Sequence, residues 1–479
     1  MKATKIGLLA LFSLSLVSCV SPQVYNCPAG TQMLPDCPPA QAVNDEDINR
    51  LYKSRTWVPP EQLTIDPIAA SEDARVPVNN ALAKIIGPAH EEAVRSLALK
   101  LGLIENARYT IDVMYYIFAR DPVGLAILGA LCNAVKRGVD VRIMVDSLGS
   151  MDPSHDELRA LETCADEAGF MRNEMGRITT RKARVQVVIF NAITKFQFNR
   201  RSHDKLLVVD GHSREHAAVM TGGRNISLDY YGIKEDGSED PSAFRDLEIL
   251  LKAGAGVEAN YTVGGVSEIY YSLLFLHNGN RRLRPVHDDG SPHARETREA
   301  RYERERRKAQ DSLAFLKSVP DIKQHYDDMP LYMGEGFRVA EVRLAHQLQN
   351  LTSTDVTTRV LENVASNPNS ILYLINKLSE KSLAEGNVGG TLRIVSPYLF
   401  SGLYRNQQGE VVYDGAKNLL KVLHDNPGMK LEVVTNSVMT GDNIFTQAII
   451  DMDMVPRLLL TPELRDAWQG GLQEGEFNP

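Results

Sequence analysis

The stretch "RYTIDVMYYIF" (Arg108–Phe118) is followed by "GLAILGALCNAVKRG" (Gly124–Gly138) and "VDVRIMVDS" (Val139–Ser147). The first and third segments are short and rich in β-branched and aromatic residues. Such runs predict strands buried on both faces. The middle segment repeats apolar residues at helical spacing and ends on glycine, which helix C-termini favour. Strand, helix, strand in that order predicts a parallel βαβ unit. Upstream, "EEAVRSLALKLGLIENA" has helical spacing. Downstream, "RVQVVIFN", "HDKLLVVD", "AAVMTGGRN" and "DLEILLKA" supply further strands. The expectation is an α/β fold, a mixed sheet flanked by helices.

A second copy of this pattern lies late in the chain. "TLRIVSPYLF" (Thr391–Phe400), "GAKNLLKVLHDNPG" (Gly415–Gly428) and "MKLEVVTNS" (Met429–Ser437) repeat strand, helix and strand. An internal repeat predicts two related halves, the second incomplete. The division expected is a lead-in over 19–80, a first half over 81–255, a helix-rich insert over 256–385 and the start of a second half over 386–479. Within the insert, "ARETREARYERERRKAQ" reads as a solvated helix laced by Glu–Arg pairs.

The chemistry gathers in "RSHDKLLVVD" (Arg201–Asp210). His203 and Lys205 are one residue apart, so on a strand they share a face. An imidazole beside an ammonium at a strand end suits an anionic substrate such as a phosphodiester. The imidazole can attack phosphorus while the ammonium neutralises the non-bridging oxygens. "TGGRN" (Thr221–Asn225) follows, with glycines that admit close approach of backbone N–H groups and an asparagine amide. Asp210 lies roughly 17 Å along the strand, which favours a loop-holding role.

Together, His203–x–Lys205–x4–Asp210 with Gly222, Gly223 and Asn225 resembles the phospholipase D superfamily motif. "FRDLEI" (Phe244–Ile249) adds to the match. "MYYIFARDPVGLAILGAL" with "RGVDVRIMVDSLGS" resembles the first half of bacterial cardiolipin synthases. The resemblance covers most of residues 85–255 and, more loosely, 390–440. It implies phosphatidyl transfer or phospholipase D-type hydrolysis through a phosphohistidine, with no cofactor and no metal. Carried over by position, His203 is nucleophile or acid, and Lys205, Gly223 and Asn225 hold the phosphate. Asp246 orients His203, and Asp210 joins the catalytic set as a motif member. "HSREHA" (His212–Ala217) makes the interval between Asp210 and Gly222 longer than the family's; a longer hairpin loop accounts for it.

Relatives build each site from two such motifs, yet the sequence holds one. The interval between Ser147 and its counterpart Ser437, carried on from His203, leads past residue 479. Three explanations compete: a truncated product, a homodimer that brings two His203 motifs face to face, and an inactive homologue. The alternative functions are a nucleic-acid phosphodiesterase and a non-catalytic envelope scaffold.

The N-terminus reads as an export signal. Lys2 and Lys5 precede a short apolar run, Ile6–Val17, too short for a stable span. "LVSC" (Leu16–Cys19) resembles a bacterial lipoprotein box, which implies a signal peptide over 1–18 and lipidation of Cys19. Val20 in the next position leans toward the outer membrane. The expected partners are a glycerophospholipid substrate and the membrane, reached through the anchor. Net charge is −8, from 53 Lys and Arg against 61 Asp and Glu, which argues against nucleic acid as a partner. Export permits disulfides. Cys27 and Cys37 could close a small ring, whereas Cys132 and Cys164, in helical patterns, are expected to be buried thiols.

Overall fold

A computed structural model describes residues 42–71, 74–150, 152, 154–191, 201–256, 261–286, 296–352, 356–386, 389–396, 403–406 and 408–436. The export signal, Cys19, Cys27, Cys37 and residues 437–479 lie outside that set.

In chain order the first elements are α1 (Glu46–Ser54), α2 (Pro67–Ser71), β1 (Asn79–Ile86), α3 (His90–Asn106) and β2 (Thr110–Tyr115). There follow α4 (Pro122–Arg137), β3 (Asp140–Asp146), α5 (Asp156–Thr163), the short pair β4 (Phe170–Arg172) and β5 (Ile178–Lys182), and β6 (Val185–Phe190). Next come β7 (Lys205–Val209), β8 (Ala218–Gly222), β9 (Glu248–Ala253), α6 (Val263–Phe275) and β10 (Arg281–Leu283). The helical stretch α7 (Arg298–Ser318), α8 (Pro320–Asp327) and α9 (Met329–Gly334) precedes β11 (Arg338–Val342).

Nine strands form one mixed sheet in the order β10-β6-β3-β2-β7-β8-β9-β1-β11. β2, β3 and β6 run parallel to one another, and β7 joins β2 antiparallel. The expected βαβ unit is β2–α4–β3. Its helix is set by both ends: Asp121 accepts from the Val123 and Gly124 amides, and Gly138 closes α4 at φ 101°. Residues with φ in that range are usually glycine, since a Cβ is strained there.

One face of the sheet packs Ile111, Val113, Ile143, Leu207 and Met220 against α3 and α4, with α7 laid over α4. The other packs Met114, Met144, Val208 and Val219 against Tyr271, Leu274 and Phe275 of α6. Strands β2, β3, β6 and β7 are buried at every position, which is why they read as mainly apolar runs; β2 and β3 also bury Asp112, Asp140 and Arg142.

Three expectations are refined by the structure. First, residues 42–57 dock on the sheet. Arg55 is buried beneath it, where its guanidinium donates to Asp112, Asp140 and Glu268. Arg142 donates to Asp112 as well, and Arg184 to Asp140. A cation buried this deeply persists because carboxylates surround it. Second, Cys132 and Cys164 are not thiols: they form a disulfide, Cα–Cα 5.5 Å, because α4 and the end of α5 pack side by side. Third, the segment 256–385 extends the sheet at both edges, β10 pairing with β6 and β11 with β1. The charged run in α7 is ion-paired, but not as a solvated face of i,i+4 pairs: Arg306–Glu303 and Lys308–Glu305 are three residues apart, Arg304 and Arg306 reach Glu296 and Glu167, and Tyr302 and Glu305 are buried where α7 packs on α4 and α5.

Beyond α10 (Val356–Ala365) and α11 (Ile371–Ala384), β12 (Thr391–Val395) pairs parallel with β15 (Lys430–Val434). The antiparallel pair β13 (Leu403–Arg405) and β14 (Val411–Asp414) precedes α12 (Gly415–Asp425). This is the second strand–helix–strand unit that the repeat predicts.

Candidate active site

The site lies where β7 begins and β8 ends. His203 is exposed just before β7, and Lys205, the first residue of β7, is 5% exposed. The Lys205 ammonium donates to the His203 carbonyl oxygen at 2.8 Å and lies 3.2 Å from Nδ1 of the His203 ring. The strand thus presents a reachable imidazole over a sheltered cation. Burial pulls the Lys205 ammonium down to about 8, opposed by the nearby carboxylates of Asp204 and Asp246.

Asp246 enters from the segment before β9. Burial raises its carboxyl, while Arg224 and Lys205 act in the opposite sense. Gly223 is what lets it sit there. A Cβ on Gly223 would lie 1.9 Å from Oδ1 of Asp246, so any side chain at 223 displaces the carboxylate. The Gly223 amide is engaged by the Leu247 carbonyl.

Asn225 is fixed at both ends of its amide. Its Oδ1 accepts from the Ile117 amide at 3.0 Å, and its Nδ2 donates to the Tyr230 hydroxyl at 2.8 Å. It ties the end of β2 to the loop after β8 and is itself buried.

Asp210 stands at the opposite end of β7. Its carboxylate accepts from the amides of Arg108, Tyr109 and Thr110, and its own backbone is left-handed at φ 51°. The structure therefore groups His203, Lys205, Gly223, Asn225 and Asp246, and places Asp210 with the entry to β2. His212 and His216 lie at that same far end, near Glu268 and Arg108 respectively.

Two groups had no signal in the motif. The Tyr116 ring packs 4.7 Å from the His203 ring and 5.6 Å from the Lys205 ammonium. Alternation along "MYYIF" was the available clue, because Tyr115 faces the core and its neighbour must face away. The second is a buried ion cluster flanking the site, in which Glu248 accepts from Lys100 at 2.5 Å and from Arg224 at 3.3 Å. It holds α3 and β9 together beside Asp246. Among the described residues no cluster of three or more His, Cys, Asp or Glu side chains is arranged to hold a metal ion.

An exposed imidazole thus stands above a buried ammonium at the head of a central strand in a mixed αβ sheet. Residues 101–235 match the family described as "Cardiolipin synthase, PLD-like domain". Cardiolipin synthase C of Escherichia coli (strain K12) is 31% identical over 172 residues, 33% of this chain and 30% of that protein. An uncharacterized protein of Helicobacter pylori (strain ATCC 700392 / 26695) is 24% identical over 366 residues, 74% of this chain and 60% of that protein. The matches thus span less than two thirds of either relative. The crystal structure of phosphatidylserine synthase from Haemophilus influenzae Rd KW20 aligns with 85% of this chain and 72% of its own, at 13% identity and TM-score 0.41.

Proposed function

We propose that the chain transfers phosphatidyl groups between glycerophospholipids, in the manner of a cardiolipin synthase, through a phosphohistidine on His203. The observation that carries this reading is the His203 imidazole held 3.2 Å from a buried Lys205 ammonium. In the first step a ring nitrogen attacks phosphorus. The P–N bond forms as the P–O bond to the leaving alcohol breaks, and the alkoxide takes a proton. In the second step an acceptor hydroxyl, or water, attacks phosphorus and releases the imidazole. Lys205 neutralises the non-bridging oxygens, with Asn225 as a further donor. Asp246, seated against Gly223, holds charge and orientation around the pair. A second copy of the chain, facing the first, supplies the imidazole that protonates the leaving group.

We place this activity at the bacterial envelope, facing the periplasm and anchored through a lipid on Cys19, with the outer membrane favoured. The Cys132–Cys164 disulfide supports an oxidising compartment.

The deciding experiment traps the intermediate. Full-length protein is mixed with phosphatidylglycerol carrying a labelled phosphate, quenched in base and analysed by peptide mass spectrometry. Label on His203, absent from His203→Ala, is expected. Label that persists in His203→Ala, or cleavage of DNA without phospholipid turnover, would falsify the reading. Loss of membrane association in Cys19→Ser tests the anchor. Recovered turnover on mixing His203→Ala with Lys205→Ala subunits, each inactive alone, is not expected if the two motifs act in one shared site; sedimentation as a dimer is.

A further inference from the structure

A cleft of about 460 Å³ lies on the sheet face opposite Lys205. Leu206, Val219, Ile249 and Leu251 of the sheet form its floor, and Val266 and Tyr270 of α6 form its wall. Its catalytic end is marked by Asp204, the residue between His203 and Lys205, and its far end by Asn79 and Arg343. Between those ends the lining is mainly apolar, interrupted by the hydroxyls of Thr221 and Ser267.

The sheet register shows where the cleft leads. Leu206 pairs with Thr221, Thr221 with Ile249, and Ile249 with Ile85. This row is one residue in from the ends of β7 and β8 that carry Lys205 and Gly222. Ile85, 69% exposed, prolongs the apolar row past the cleft. The Asp204 carboxylate is already satisfied at this mouth, accepting from the Ser202 hydroxyl at 2.6 Å and the Tyr270 hydroxyl at 3.2 Å. It therefore asks for no cation from a ligand.

We propose that this cleft takes one acyl chain of the glycerophospholipid whose phosphate sits at His203 and Lys205. The inference rests on the phospholipid reading above. A phosphodiester at the head of β7 has two routes away from the strand end, one per sheet face. The Lys205 face holds the phosphate ligands; the Asp204 face offers a mainly apolar channel of ligand-pocket size, charged only at its two ends. An esterified chain suits that channel because it carries no charge past Asp204, whereas a free fatty acid would bring its carboxylate against it. Each methylene buried there contributes to binding, so turnover should rise with chain length until the cleft is full.

The experiment fills the cleft without touching the site. Full-length wild type, Val266→Trp and Ile269→Trp are compared on phosphatidylglycerols with acyl chains of increasing length in mixed micelles. Ile269 is on the same helix but 56% exposed and outside the cleft, so its variant controls for the added indole. Expected is a wild-type kcat/KM that rises with chain length and a Val266→Trp variant that loses at least about tenfold on long chains only. Ile269→Trp should follow wild type. An unchanged chain-length profile in Val266→Trp overturns the proposal. If wild type turns over no phospholipid, the parent reading fails, and the cleft is judged separately with a photoactivatable acyl lysophosphatidylglycerol. Labelling of α6 or β9 peptides that Val266→Trp blocks supports the proposal, and labelling confined elsewhere refutes it.

Discussion

Lys205→Met should make the protein more stable and inactive at once, and the stability gain should depend on pH in a defined way. Lys205 is 5% exposed, and burial brings its ammonium from 10.5 down to about 8. That displacement corresponds to roughly 3 kcal/mol of charge-burial cost. The hydrogen bond to the His203 carbonyl, lost in the variant, offsets about 1 kcal/mol of the gain. A net gain near 2 kcal/mol is expected at pH 7, where the folded and unfolded chains both carry the proton. Between pH 8 and 10.5 the unfolded chain still binds this proton and the folded chain does not, so wild-type stability rises with pH across that window. The advantage of Lys205→Met should therefore shrink above pH 8, vanish at about pH 9.5 and reverse by roughly 1 kcal/mol at about pH 10.5. Urea unfolding of both proteins at pH 7, 8.5 and 10, followed by fluorescence, reads the difference directly. A variant that is less stable at pH 7, or a gap that does not change with pH, would refute the reasoning. The same ammonium predicts that wild-type kcat/KM falls as pH rises through about 8, since that ratio reports the free enzyme.

Asp210→Ala should cost about 2–4 kcal/mol by orphaning three backbone amides, yet leave phosphohistidine formation per folded molecule within a few-fold of wild type; loss of the intermediate in well-folded protein would return Asp210 to the site. Gly223→Ala should drive the Asp246 carboxylate aside and cut turnover by about 100-fold with little change in melting temperature, and full activity would show that Asp246 does not act at its observed place. Arg55→Met leaves Asp112, Asp140 and Glu268 short of a cation and should destabilise by at least about 3 kcal/mol, measured by denaturant unfolding; a neutral result would mean that Arg142 and Arg184 suffice. Cys132→Ser/Cys164→Ser should lose about 3–4 kcal/mol, the loop entropy expected for a separation of 32 residues. Wild type in reductant should match it, and a reductant-insensitive wild type would contradict the disulfide.

What the sequence made legible was local. The β2–α4–β3 unit could be read because its helix carries both stop signals and its strands are short runs rich in β-branched and aromatic residues. The His-x-Lys pair could be read because one-residue spacing on a strand fixes a common face. What stayed hidden depends on distant pairing. Arg55 stands in a polar, Pro-containing run, and nothing beside it announces three carboxylates on other elements. β10 and β11 are three and five residues long and take their place only by pairing with β6 and β1. Cys132 and Cys164 looked like thiols because periodicity says which helix face is buried, not which helix it meets. Tyr116 follows from alternation, but its partner ring is set by the register of β2 on β7.

The sheet also sets a timetable. β1 is the first strand made, yet both its neighbours, β9 and β11, come from after residue 247. Until residue 342 has emerged, "NNALAKII" has no complete pairing, and its backbone groups stand open as an edge. Pairing across such long loops is slow. A chain exported N-terminus first, with its leading end held at a membrane, would keep that strand waiting longest. Its yield in the envelope should then depend on a holding chaperone more steeply than its final stability would suggest.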